Sequence, residues 1–190
     1  MRFTDRVLSI HPAIITILFV VLFVGGGVAI NVVPLAFGGG AWSLVFSASM
    51  LALLCPIMLW HYSLYRAASD RNAPNVGHSG RRGFLFLISI GGLCAFLVLS
   101  AIQLSARPAD PAYQPITAAI VISMLVGNFS YFASIWAAAN ALTRFDERTE
   151  SAEFHKTLGT FILELYLPIG IWVIYPRIKR LLAAPLPHQD

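Results

Sequence analysis

Residues 12–34 read PAIITILFVVLFVGGGVAINVVP, without one charged side chain. A helix needs about 20 consecutive apolar residues to cross roughly 30 Å of hydrocarbon. This stretch is long enough, and it is not alone. Residues 42–65, 84–105 and 116–142 also contain no Asp, Glu, Lys or Arg. A fifth run, 158–175, carries a single acid, Glu164. Five such runs in 190 residues exceed what a soluble core of this size could hide. The composition agrees: 57% of residues are hydrophobic and only 12% are charged, about half the ~25% usual in soluble domains. The expected fold is all-α, a polytopic transmembrane helical bundle forming one membrane domain over residues 1–190. Four spans are expected at about 12–34, 42–65, 84–105 and 116–142, with a fifth, Pro/Gly-broken segment at 158–175.

The basic start, Arg2 and Arg6, followed by an apolar run also imitates a signal peptide. The run continues to Val33, however, and no small-x-small cleavage site follows a short apolar core. It is therefore expected to be retained as the first span. Gly25, Gly26 and Gly27 near its middle, like Gly91 and Gly92 in the third run, suit close helix packing. Pro34 and Gly38 to Gly40 predict a tight uncharged turn. The second run holds Pro56, a predicted kink, and ends in Trp60, His61, Tyr62, Tyr65 and Arg66, an interfacial aromatic belt closed by a cation. In the fourth run, Ser130, Ser134 and Ala138 recur at four-residue spacing, as do Ala133, Ala137 and Ala141. That pattern marks a central helix or one facing a partner.

The net charge of +4 points to the membrane and not to nucleic acid, because the cations cluster at the ends of the runs. With the N-terminus inside, the cytoplasmic segments hold Arg2 and Arg6; Arg66, Arg71, Arg81 and Arg82; and Arg144, Arg148 and Lys156. The outer turns hold only Arg107. That asymmetry fits the positive-inside rule and predicts a cytoplasmic N-terminus. The tail, with Arg177, Lys179 and Arg180, conflicts with it if the fifth run spans. The expectation is a spanning but broken fifth helix; the alternative is a re-entrant one, because irregular backbone at membrane depth must lie against protein or water.

Glu164 is the only acid inside an apolar run. A carboxylate there is costly and marks a function by default. It lies roughly 10 Å past Thr157 at 1.5 Å per residue, a depth that His61 also reaches from Arg66. A Glu164–His61 contact, direct or through water, is therefore expected, against local pairing of Glu164 with Lys156 or a hydroxyl. His11, His61, His78 and His155 raise the question of a b-type haem, but none sits deep in a run opposite another, so no cofactor is expected. Cys55 and Cys94 read as buried small hydrophobes. Asn31, Gln103, Asn128 and Asn140 read as interhelical hydrogen-bonding groups. No paired acid/base set, metal-ligand spacing, phosphate-binding loop or nucleophile elbow is present.

The C-terminal stretch Phe161-Ile-Leu-Glu-Leu-Tyr-Leu-Pro-Ile-Gly-Ile-Trp-Val-Ile-Tyr-Pro-Arg-Ile-Lys179 resembles the closing signature of a family of small bacterial multi-span membrane proteins whose activity is uncharacterised. There the run ends FPIGIWFIQPRIN. Pro168, Ile169, Gly170, Ile171, Trp172, Ile174, Pro176, Arg177 and Ile178 match, whereas Tyr175 and Lys179 stand where that family has Gln and Asn. The resemblance covers some 20 to 40 residues. It implies a bacterial inner-membrane protein with a structured C-terminal segment, and no activity. Physically, Pro168 and Gly170 should bend the helix, Trp172 and Tyr175 should anchor in an interface, Pro176 should end the span, and Arg177 to Arg180 should meet lipid phosphates.

The functional expectation is a non-enzymatic accessory, assembly or scaffold subunit, in contact with lipid and with a membrane-protein partner or a second copy of itself. The alternatives are a small oligomeric channel or transporter using Glu164, and a haem- or quinone-associated electron-transfer subunit.

Overall fold

The structure is a computed structural model that describes residues 3–37, 41–71, 79–105, 113–147 and 152–184. Seven helices follow in order: α1 Phe3–Leu8, α2 Pro12–Phe37, α3 Ala41–Arg71, α4 Ser79–Ser105, α5 Tyr113–Glu147, α6 Phe154–Leu165 and α7 Leu167–Ala183. No strand occurs among the described residues. The turn at Gly38 to Gly40 and the residues His78, Arg107 and Arg148 lie outside them.

Each of the four uncharged runs forms one helix. Three helices among the described residues are long and apolar enough to cross a membrane, through Pro12–Ala29, Gly83–Ser100 and Tyr113–Glu147. The helix built on run 42–65, α3, is 31 residues long and continues past the run through Arg66, Asp70 and Arg71. Pro56 sits within α3 and does not end it.

Close approaches explain part of the glycine pattern. A Cβ on Gly92 of α4 would lie 2.9 Å from the Gly127 Cα of α5, and one on Gly26 of α2 would lie 3.2 Å from the Ser49 Cβ of α3. Gly25, Gly27 and Gly91 face open space, so one glycine of each cluster carries the packing. The Ala/Ser face of α5 is buried at Ser130, Ser134, Ala137, Ala138 and Ala141. Yet the most enclosed helix is α3, which touches α1, α2, α4, α5 and α7. Nine of the twelve residues in 57–68 are buried, Trp60, His61 and Tyr65 among them, so the aromatic belt around Trp60 is largely an interior. The reason is α1 and α7, which cover that end of α3. Cys55 and Cys94 are exposed, not buried.

The fifth run departs most from expectation. It is two helices that fold back on each other. The break falls at Tyr166, with φ −96° and ψ 49°. Pro168 follows in the first turn of α7, where a missing N–H costs nothing. Arg177 Nη1 donates to Thr160 Oγ1 at 2.8 Å; in one continuous helix these residues would be about 25 Å apart. Gly170 packs on the Leu163 backbone so tightly that its Cβ would fall 2.5 Å from the Leu163 carbonyl carbon. Thus α6 and α7 form an antiparallel hairpin with its tip at residues 165–168. Pro176 does not end the helix, which runs on to Ala183. Its ring is exposed, so the backbone bond it deletes lies away from the packed face.

The open ends of the hairpin gather with other helix ends. Arg71 Nε donates to the Ala184 carbonyl at 3.3 Å, and Arg71 Nη1 pairs with Asp5 Oδ1 at 3.3 Å. Asp146, at the end of α5, accepts from Arg177 Nε and lies 3.8 Å from Arg180 Nη2. The end of α7, the end of α3, the end of α5 and all of α1 therefore share one end of the molecule.

Candidate functional site

The inner face of the hairpin follows helical spacing. Thr157, Thr160 and Glu164 of α6 fall at i, i+3 and i+7 and are all buried. Leu167, Gly170, Ile171, Ile174, Ile178 and Leu181 form the matching face of α7. Outside lie Phe154, Leu158, Ile162 and Tyr166 on α6 and Ile169, Trp172 and Val173 on α7. The hairpin is thus apolar on both faces, with Thr157, Thr160 and Glu164 as polar groups turned inward. Thr16 Oγ1 of α2 donates to the Pro168 carbonyl at 3.3 Å, which sets the hairpin tip about one turn inside the start of α2.

Glu164 meets His61. His61 Nε2 and Glu164 Oε2 are 3.6 Å apart, and both side chains have no exposed surface. The expected pairing is therefore present. At 3.6 Å the two atoms lie within ion-pair range but outside hydrogen-bond reach. His61 Nδ1 lies 2.8 Å from the Ile57 carbonyl of its own helix. Since a carbonyl only accepts, Nδ1 carries a proton, and that fixes the tautomer. His61 Nε2 and both Glu164 oxygens have no hydrogen-bond partner in the structure. The Trp60 indole stands edge-on to the imidazole, with ring centres 5.3 Å apart. The pair lies about 15 Å along α3 from Arg71 and at a similar depth along α6 from Glu153.

Local pairing of Glu164 with Lys156 does not occur. Lys156 Nζ reaches Glu147 Oε1 at 2.5 Å and Glu153 Oε2 at 3.2 Å at the mouth of the hairpin. These bonds, chiefly that to Glu147, hold its ammonium above the ordinary lysine range.

Arg177 also differs from expectation. Instead of reaching toward lipid phosphates, it turns inward to Asp146 and Thr160. Thr160 Oγ1 lies 3.2 Å from Thr143 Oγ1 of α5 and donates to the Lys156 carbonyl at 3.0 Å. Arg177 thereby ties α5, α6 and α7 together. Its outward neighbours keep the expected character: Arg180 and Lys179 are exposed, and Lys179 Nζ sits 5.1 Å over the Tyr175 ring. Trp172 is half exposed, with the His11 ring edge-on at 6.0 Å.

The remaining polar candidates are dispersed. Asn31 and Asn128 each donate to the carbonyl four residues earlier in their own helix. Gln103 crosses between helices, donating to Thr117 Oγ1 of α5 at 2.6 Å. His11, His61 and His155 lie with different partners: Trp172 and Tyr175, Glu164, and Glu153. Sequence pattern alone does not single out Thr143, Thr157, Thr160 or Asp146. The 157–160–164 spacing was the available signal for two of them.

No family model, curated protein or solved structure matches this chain.

Proposed function

We propose that the chain is a non-enzymatic multi-pass protein of the bacterial inner membrane, an accessory, assembly or scaffold subunit that packs against other membrane-protein surface. In this reading α2 to α5 each cross the bilayer, the N-terminus is cytoplasmic, and α6–α7 re-enters from the cytoplasmic side. Returning Arg177, Lys179 and Arg180 to that side removes the one conflict with the positive-inside rule. The kinship suggested by the closing PIGIW signature is part of the same proposal.

The observation that carries the reading is how little the spanning segments enclose. Only 6% of Pro12–Ala29 and 11% of Gly83–Ser100 is buried. A helix that shows one face to its own bundle presents a stripe of about 100° out of 360°, or more than a quarter of its residues. The compact core sits instead at the other end, in α3 57–68, α1, the end of α5 and the hairpin. Lipid will cover bare helix, but small-residue faces such as Gly25, Gly27 and Gly91 pack best on another helix.

A second reading is favoured by a different observation. A fully enclosed carboxyl–imidazole pair at membrane depth is what a small oligomeric channel or transporter built around Glu164 would need. That reading requires a water path to open, because both side chains are sealed. The haem- or quinone-associated alternative gains nothing from His61, whose two nitrogens already face Ile57 and Glu164.

The test is purification in mild detergent, a native gel, mass spectrometry of the band and its visible spectrum. Stoichiometric companion subunits support the accessory role. A colourless homo-oligomer overturns it in favour of the channel, and a haem spectrum overturns both.

A further inference from the structure

We propose that Glu164 and His61 form one proton-binding site, which holds a single exchangeable proton at membrane depth and thereby latches the α6–α7 hairpin onto α3. This is independent of whether the protein is an accessory subunit or a transporter.

The geometry allows little else. The Ile57 carbonyl fixes the His61 proton on Nδ1, so neutral His61 turns the lone pair of Nε2 toward Glu164 Oε2, 3.6 Å away. With no further proton, a lone pair would face a carboxylate, and His61 Nε2 and both carboxylate oxygens would stay unsatisfied. Buried polar groups left in that state are costly. With one proton, the pair becomes O–H···N: Glu164 Oε2 carries the proton and donates it to His61 Nε2, which leaves no separated charge in the sealed apolar site, as N⁺–H···O⁻ would. With two protons, an imidazolium would face a neutral acid in an apolar enclosure. Small rotations of the Glu164 side chain suffice to close the remaining ~0.6 Å to hydrogen-bond distance.

Neighbouring charges do not replace that proton. From α7, Arg177 is the cation toward Glu164, but its guanidinium is held by Asp146 of α5 and Thr160. Further along α5, Thr143 and Ser134 present hydroxyls bonded to their own helix. From α2, no charged residue occurs between Pro12 and Phe37, and His11 at its mouth packs on Trp172 and Tyr175. From α1, Asp5 is paired with Arg71. Among the described residues, the other titratable side chains of the surrounding core are Tyr65 and Tyr62 of α3 and Tyr131 of α5.

The pH behaviour follows by linkage. In the undocked hairpin, water-exposed Glu and His would titrate near about 4.3 and 6.5. Between those values both states hold one proton, and docking is independent of pH. Above about 6.5 the undocked state loses a proton that the docked state keeps, so docking weakens by about tenfold per pH unit. Below about 4.3 the undocked state gains a second proton, and docking weakens again. Glu164→Gln gives a different curve: its amide donates permanently to Nε2, so docking is flat above about 6.5 and weakens below it, where only the undocked histidine is charged.

The experiment is infrared spectroscopy of the full chain with carbon-13-labelled glutamate, combined with hydrogen exchange of the α6–α7 amides corrected for intrinsic rates. The expected result is a protonated glutamic-acid carbonyl band at neutral pH, since the other glutamates lie outside the apolar runs. Hairpin exchange should also accelerate about tenfold per pH unit on the alkaline side in wild type but not in Glu164→Gln. Absence of that band in wild type overturns the proposal even if the variant does not fold. So does a Glu164→Gln protein that keeps the wild-type alkaline response.

Discussion

Gly170→Ala probes the fold-back directly. The new Cβ would lie 2.5 Å from the Leu163 carbonyl carbon and 2.9 Å from its Cα, where ordinary contacts begin near 3.4 Å. Overpacking costs typically 1–3 kcal/mol when side chains can yield. Here the obstacle is backbone at a tight turn, so the upper end, ~3 kcal/mol, applies. Alanine returns up to about 1 kcal/mol of helix propensity. The net loss of about 2 kcal/mol corresponds to roughly 30-fold weaker hairpin docking. Hydrogen exchange of the α6–α7 amides in detergent should accelerate by that factor, with α2, α4 and the first half of α5 unchanged. Gly159→Ala is the matched control. No atom lies within 4 Å of its Cβ position, so it should be neutral or stabilising by up to ~1 kcal/mol. If Gly170→Ala and Gly159→Ala behave alike, α6 and α7 do not pack as an antiparallel pair.

Other outcomes follow from the same geometry. Gly92→Ala should drive α4 from α5 at Gly127 and cost ~1–3 kcal/mol, whereas Gly91→Ala, facing open space, should not lower the melting temperature. Arg177→Ala should cost ~1.5–3 kcal/mol, the usual worth of hydrogen bonds to charged groups, and should loosen α5, α6 and α7 together; Arg180→Ala, on an exposed side chain, should have little effect in the same thermal assay. Gln103→Ala should cost only ~0.6 kcal/mol, typical of interhelical hydrogen bonds in membranes. Glu147 and Glu153 hold the Lys156 ammonium above its ordinary 10.5, and Lys156 holds the Glu147 carboxyl below its ordinary 4.5, so the pair's contribution is fully present between those values and is lost as pH rises above 10.5 or falls below 4.5. A pH–stability profile of Lys156→Gln should therefore parallel that of wild type between those values and diverge outside them.

The legible part of this chain was its apolar run length. Absence of charge over 12–34, 84–105 and 116–142 needs no tertiary context, because the cost of burying a charge acts residue by residue. Glu164 and His61 were also legible as a pair, since each stands out against apolar neighbours at comparable distance from a charged boundary. The direction of the fifth run was not. Pro168 and Gly170 announce a break, but a break permits either a bent span or a return. What decides is Gly170 packing on Leu163 and Arg177 reaching Thr160, contacts between residues whose types carry no address. Arg177 shows the same limit: a cation after an aromatic run reads as a lipid contact until Asp146, 31 positions earlier, arrives beside it. The enclosure of α3 is not legible because α1, at six residues, is too short to carry a periodic signal.

The most direct test is sidedness. Cysteines placed singly at Phe3 and at Lys179, both exposed, in a background lacking Cys55 and Cys94, can be labelled with a membrane-impermeant maleimide in intact spheroplasts and in inverted vesicles. A returning hairpin in the proposed orientation predicts that both positions label only in inverted vesicles. Labelling of Phe3→Cys from one side and Lys179→Cys from the other would contradict it and make the fifth run a span.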